Sequence, residues 1–234
     1  MGPFLEMTRF WAQTALVLLL ASCGSDKSAP ALPIKAIFQA QLDKLKGAGA
    51  PPVAGTAIEP DAATLAEGRR VLQEGGQPVM AVTDRSLGLA TFMVPLGQNA
   101  GVVTWANPEY QTLALRDGVI LATRGFDNDL MSAEAPTAQQ LRQGTGSTRR
   151  VHYVLDGADQ TQTQIYTCQL SVSNNETIAV LGLSYISEKV LEVCEGAAGG
   201  FTNLYWFDKS GIIRQSQQVR EPGVEKMQLQ MIID

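Results

Sequence analysis

The stretch Thr112-Leu113-Ala114-Leu115-Arg116-Asp117-Gly118-Val119-Ile120-Leu121-Ala122-Thr123 decides the fold. Its apolar residues recur with a period of two, and Asp117-Gly118 is a dipeptide favoured in two-residue hairpin turns, where both residues take positive φ. With that turn, Leu115 faces Ile120 and Leu113 faces Ala122, giving one apolar face. The spacing predicts an antiparallel hairpin, and the same period continues on both sides of it. Residues 79–82, 87–94 and 102–105 read as short strands, separated by turn residues such as Gly97-Gln98-Asn99 and Asn107-Pro108. Residues 151–155 turn at Asp156-Gly157 towards a strand at 164–168, and residues 204–207 turn at Asp208-Lys209-Ser210-Gly211 into 212–214. Met227, Leu229 and Met231 alternate with Lys226, Gln228 and Gln230, so the last strand is half-buried. Residues 133–143 are expected to be helical. Many hairpins with few long helices imply a mainly β fold. It is a curved or barrel-like antiparallel meander that protects its edges, with one or two short N-terminal helices and one intervening helix.

Composition agrees with a folded core. Of 234 residues 45% are hydrophobic, while 18 Lys+Arg against 23 Asp+Glu leave a net charge of -5, too small to force disorder. A pI near 5.0 with no basic run argues against nucleic acid as a partner.

At the amino terminus, Arg9 precedes an uncharged, mostly apolar run from Phe10 to Leu20, followed by Ala21-Ser22-Cys23-Gly24. The run is shorter than the roughly 20 residues a membrane-spanning helix needs, and its basic-apolar-small order is that of an export signal. Glu6 is unusual there, and Met7-Thr8-Arg9 would make a cleaner start. Leu20-Ala21-Ser22-Cys23 looks like a bacterial lipobox, in which the Cys23 thiol takes a diacylglyceryl group before cleavage; the alternative is an ordinary signal with an incidental Cys. Two or more acyl chains, palmitate among them, anchor a protein stably. Gly24 rather than Asp after the cysteine points by the same resemblance to the outer membrane. The expected division is a signal peptide (1–22), a lipidated tether (23–33), a helical and coil appendage (34–76) and an antiparallel β domain (77–234). Within the appendage, Ile34, Ile37, Phe38, Leu42 and Leu45 have helical spacing, residues 47–60 form a linker, and Asp61 caps a second helix that Gly68 weakens.

Setting the anchor aside leaves Cys168 and Cys194, each in a strand-like stretch. In an oxidising periplasm the simplest reading is a disulfide, whose closed loop of about 27 residues would contribute roughly 3.5 kcal/mol. The rivals are a nucleophilic Cys activated by the single histidine, His152, and a zinc site, which needs more ligands than these three readily supply. No other cofactor is implied.

Candidate contact residues each have a bland reading beside the functional one. His152 alternates with Val151 and Tyr153, so it lies on the other strand face, as a solvated or hydrogen-bonded structural residue or as a catalytic one. Asp127-Asn128-Asp129, with Glu134 nearby, offers oxygens for calcium, a carboxylate pair for glycan hydrolysis, or simply a turn with local backbone bonds. Trp105, Tyr205 and Trp206 either stack on sugar rings or pack the core. Arg124 and Arg214 either bind acidic sugars or sit as strand-end charges paired with Asp127 or Asp129. Gln215, Gln217, Gln218, Gln228 and Gln230 give the last strands a neutral polar face.

Several segments, in order, carry a family resemblance. They are Val102-Val103-Thr104-Trp105, Leu115-Arg116-Asp117-Gly118-Val119 and above all Ala122-Thr123-Arg124-Gly125-Phe126-Asp127-Asn128-Asp129-Leu130-Met131. Arg150-Val151-His152-Tyr153-Val154-Leu155-Asp156-Gly157, Thr167-Cys168, Val193-Cys194, Asn203-Leu204-Tyr205-Trp206 and Arg214-Gln215-Ser216 continue it. The chain resembles the YjbF/GfcB family of capsule and exopolysaccharide lipoproteins from residue 78 to the end. That resemblance implies a mainly β outer-membrane lipoprotein, encoded with machinery that makes or exports surface polysaccharide, and with no established reaction; the expected location is lipid-anchored at the outer membrane, on its periplasmic face. The expected function is a non-enzymatic accessory role through the lipid anchor, touching polysaccharide or an outer-membrane export protein. The alternatives are a periplasmic polysaccharide-modifying enzyme and a structural envelope lipoprotein without a glycan role.

Overall fold

The computed structural model describes residues 62–234. The expected signal peptide, Cys23, the tether, the first amphipathic helix, the linker and the Asp61 cap lie outside the described residues. Helix α1 (Ala62–Glu74) precedes β1 (Val79–Asp84), β2 (Leu89–Asn99), β3 (Val102–Ala106), β4 (Thr112–Arg116), β5 (Val119–Arg124) and β6 (Leu130–Glu134). Helix α2 (Ala138–Arg142) leads to β7 (Thr145–Leu155), β8 (Thr161–Val172), β9 (Glu176–Val180), β10 (Leu183–Gly196), β11 (Gly199–Phe207), β12 (Ile213–Gln218) and β13 (Met227–Ile233). All thirteen strands join one antiparallel sheet, ordered β5-β4-β3-β2-β1-β13-β12-β11-β10-β8-β7-β6, with β9 beside the first half of β10.

Neighbours along this path are mostly neighbours in sequence, as hairpin signals require; the exceptions are β8, which pairs with β10 past β9, and β1, which pairs with β13 and so joins the first strand to the last. The sheet curls until its outermost strands, β5 and β6, come together in a nearly closed barrel. No ladder joins them. Instead Arg124, at the end of β5, donates to the Leu130 carbonyl at 3.1 Å and the Met131 carbonyl at 3.0 Å on β6. Nearby, Asp129 accepts from the Thr123 hydroxyl and the Gly125 and Phe126 amides, fixing the turn between the two strands.

Alternation decides which residues fill the interior. Met80, Val82, Met93, Trp105, Leu113 and Leu115 form one apolar cluster with Phe126, Leu130 and Leu229. On the outer face, α1 lays Val71 and Leu72 against Val79, Val94, Trp206 and Ile232. Arg69 fixes the helix by donating to the carbonyls of Val180 (2.5 Å), Leu181 (3.1 Å) and Ile232 (2.6 Å). None of the helices among the described residues is long and apolar enough to cross a membrane.

Some expectations are corrected in detail. The 112–123 hairpin has its two-residue turn, with φ of 50° at Asp117 and 85° at Gly118. Leu115 opposes Ile120, but a bulge at Ala114/Leu115 puts Leu113 opposite Thr123 instead of Ala122. The turn placed at 97–99 falls at Ala100-Gly101, both with positive φ. β2 runs on through a second bulge, between Pro95 and Gly97, because that irregularity accommodates a proline lacking its N–H. Residues 133–134 end a strand instead of opening a helix. Helix α2 cannot start earlier, because Pro136 disfavours helix before it and the Thr137/Gln140 capping box sets its first turn.

Candidate functional site

Three places concentrate functional groups. The first is the barrel interior behind β7, β8, β10 and β11. Arg150 donates to Glu192 at 2.7 Å and to the Tyr205 hydroxyl at 2.7 Å. Glu192 also accepts from Asn203 (2.9 Å) and Tyr205 (3.1 Å), while Asn203 accepts from the Val219 amide. Burial opposes the Arg150 charge, but Tyr205 and Glu192 more than offset it and hold the guanidinium above its ordinary pKa. Burial also pushes the Tyr205 phenol well up, so it stays a neutral donor and acceptor. These groups satisfy one another, as a buried ion pair must.

Cys168 and Cys194 form a disulfide, S–S 2.03 Å, directly opposite each other on β8 and β10. Among the described residues, Cys168, Cys194 and Glu192 bring potential ligand atoms within 4.8 Å of one another, but both sulfurs are bonded and the carboxylate is already engaged. His152 lies nearby in a cage of Tyr166 and Phe201, ring centroids at 5.1 and 5.5 Å. It is fully buried, and neither ring nitrogen has a hydrogen-bond partner among the described residues, so it is neither the solvated nor the hydrogen-bonded histidine that alternation suggested. Burial, and then the Arg150 charge, lower its pKa to about 4.

The second place is the β5–β6 seam. Here Asp129 is engaged in turn bonds, Asp127 gives its backbone carbonyl to Arg220 at 2.5 Å and keeps an exposed side chain, and Arg124 clasps β6. Arg124 pairs with carbonyl oxygens and not with Asp127 or Asp129. Arg220 completes the corner by pairing with buried Asp84 at 2.7 Å and lying over the Phe126 ring.

The third is a groove of about 560 Å³ at one end of the sheet. The β2–β3, β4–β5 and β11–β12 turns and α2 gather around it. Trp105, Leu115, Ile213 and Met231 make an apolar floor, and Asp117 and Arg142 stand among the polar lining residues. The β4–β5 tip is held there by Gln218, which donates to the Gly118 carbonyl (2.7 Å) and accepts from the Ile120 amide (2.9 Å). Gln218 is therefore buried inside, whereas Gln215 with Gln230 and Gln217 with Gln228 pair across the outer face.

The contact candidates are thus dispersed. Trp105 lies in the groove, and Arg124, Asp127 and Asp129 lie at the seam. Trp206 lies beneath α1, its indole N–H donating to Glu176 at 2.7 Å with Lys189 over its ring. Arg214 is held by Asp208 at 2.6 Å and Asp234 at 2.9 Å. Asp117, Arg142, Gln139 and Gln98, which share the groove with Trp105, come from the β4–β5 turn, a short helix and the end of β2, whose meeting no local pattern announces.

No curated protein matches. The crystal structure of the hypothetical lipoprotein YmcC from Escherichia coli (K12) superposes with a TM-score of 0.64 at 16% identity, covering 77% of this chain and 98% of that one, which is a likeness of fold. Residues 59–232 match the family described as "Group 4 capsule polysaccharide lipoprotein gfcB, YjbF". With the match running from α1 to the last strand, the chain belongs to the YjbF family of capsule polysaccharide lipoproteins.

Proposed function

We propose that this protein is a non-enzymatic accessory factor of capsule or exopolysaccharide assembly or secretion, held by an N-terminal lipid on the periplasmic face of the outer membrane. The family match over residues 59–232 carries the reading. The way the fold uses its charges supports it: Arg150, Arg214 and Arg220 are all engaged with carboxylates inside or at the ends of the sheet, where they stiffen a scaffold. Anchorage rests on Leu20-Ala21-Ser22-Cys23. In this role the protein holds glycan near the membrane or docks to an export partner.

The test is deletion of the gene, quantification of extracellular polysaccharide, and complementation with the intact protein or Cys23→Ala. Loss of polysaccharide restored only by the intact form is the expected result. Unchanged polysaccharide after deletion would remove the proposal, and equal restoration by both forms would make the lipid incidental.

A further inference from the structure

We propose that a second groove, on the outer face of β1, β12 and β13, is a saccharide-binding site, in which the hydroxyls of a short glycan segment bond the side chains of Thr83, Gln217 and Gln228. This assignment rests on the reading above, which makes polysaccharide the molecule at hand, and it names the part of the surface that touches it.

The groove measures about 430 Å³, within the range of small-molecule clefts. Thr83, Gln217 and Gln228 line it from the sheet, and Arg85, Glu225 and Lys226 from the segments just outside β1 and β13. Every one of these side chains is polar, so the groove offers hydrogen bonds and no apolar surface to fill. The three sheet residues stand on one rung, Thr83 opposite Gln228 and Gln228 opposite Gln217. Strand spacing sets each about 4.8 Å from the next. All three are half-buried: the sheet fixes their stems while their tips reach solvent.

Their hydrogen bonding is incomplete, which separates this pair of glutamines from its neighbours. Inside the barrel, the Gln218 amide both donates and accepts, and on the outer face Gln230 closes on Gln215 at 2.7 Å. Gln217 and Gln228 approach only to 3.4 Å. The Gln217 carbonyl, the Gln228 NH2 and the Thr83 hydroxyl have no hydrogen-bond partner among the described residues. A fixed line that offers acceptor, donor and hydroxyl in turn suits sugar hydroxyls, each of which both donates and accepts. A phosphate or carboxylate offers acceptors alone: it would leave the Gln217 carbonyl unpaired and would meet the like charge of Glu225. Beyond Gln217 the rung runs on over β11, β10 and β8 as Leu204, Leu191 and Ser171, none charged and none fully buried. A longer glycan leaving the groove along that row crosses a surface of aliphatic and hydroxyl groups.

The experiment uses the full-length lipidated chain in detergent micelles, titrated calorimetrically with short oligosaccharides released by mild acid from the producing strain's own surface polysaccharide. Gln217→Met/Gln228→Met keeps both stems and removes both amides. It is expected to weaken binding at least tenfold with an unchanged circular dichroism spectrum and Tm. Thr83→Val, which keeps the shape and removes only the hydroxyl, is expected to weaken it several-fold and decides the matter if the double variant fails to fold. Arg142→Ala, in the other groove beside α2, is expected to bind like the parent. Because hydroxyls carry the recognition, affinity is expected to change less than twofold between low and high salt. No heat with the oligosaccharides, parent-like affinity in the floor variants, or a tenfold fall in affinity at high salt would overturn the assignment; the last would give the groove to an anion held by Arg85 and Lys226. The two proposals fail separately: polysaccharide lost on deletion but fully restored by a non-binding Gln217→Met/Gln228→Met chain removes the groove and leaves the accessory role. Unchanged polysaccharide after deletion removes the role whatever the groove binds.

Discussion

Single side chains inside the barrel set its sensitivity to charge. Removing one partner of a buried ion pair strands the other, so Arg150→Met is expected to cost about 3–5 kcal/mol in urea unfolding. Adding Glu192→Gln to it should recover part of that loss, because no carboxylate is then left uncompensated. His152 predicts a pH dependence. Its pKa is about 4 in the folded chain, against an ordinary 6.5 once unfolded. Between those values the unfolded chain binds the extra proton, so stability is full above about pH 6.5 and falls as the pH drops towards 4, by roughly 3 kcal/mol in all. His152→Leu should flatten that slope in denaturant titrations at pH 4.5 and 7, whereas an unchanged slope would assign it to the carboxylates. The alternation of Val151, His152 and Tyr153 showed that His152 faces away from its neighbours. It could not show that this direction leads into a sealed barrel, since that depends on β8 and β11 bringing Tyr166 and Phe201 over it.

Among the elements, legibility follows sequence distance. The 112–123 hairpin was readable because turn chemistry and alternation both act within a dozen residues, and only its bulge was hidden. The family-like segment around Arg124 and Asp129 was readable as a turn, but its work as a clasp was not, because β6 is held through side chains and not by a ladder. The short β9 carries too little pattern to stand out. Its place follows from Arg69, which reaches the Val180 and Leu181 carbonyls from α1, more than a hundred residues earlier. Arg69→Met keeps the apolar stem and removes these bonds. It is expected to cost about 2 kcal/mol, within the range of roughly 1.5–3 kcal/mol for hydrogen bonds to a charged group, and to speed amide exchange in α1 and β9 ahead of the rest of the sheet. Arg124→Ala is expected to raise exchange in β5 and β6 first, with little change around the disulfide.

For the molecule as a whole, the disulfide ties β8 to β10 across the excursion that contains β9. The Cys168→Ala/Cys194→Ala double variant is expected to lose about 3.5 kcal/mol, read as a lower urea midpoint with a somewhat steeper slope, because the unfolded chain without its cross-link exposes more surface. The groove belongs to this scale too. Trp105 could be singled out from sequence, but Asp117, Gln139 and Arg142 become its neighbours only when separate hairpin tips and α2 converge at one end of the sheet.

The pairing of β1 with β13 couples the fold to the order in which the chain is made. Residues 79–84 wait with one flank bare until 227–233 have emerged, so the polypeptide cannot zip shut behind the ribosome or a translocation channel as it lengthens. Closure of that flank becomes a late event, possible only once 227–233 reach 79–84. Losing residues 227–233 alone would leave a sticky, unsatisfied border that invites self-association.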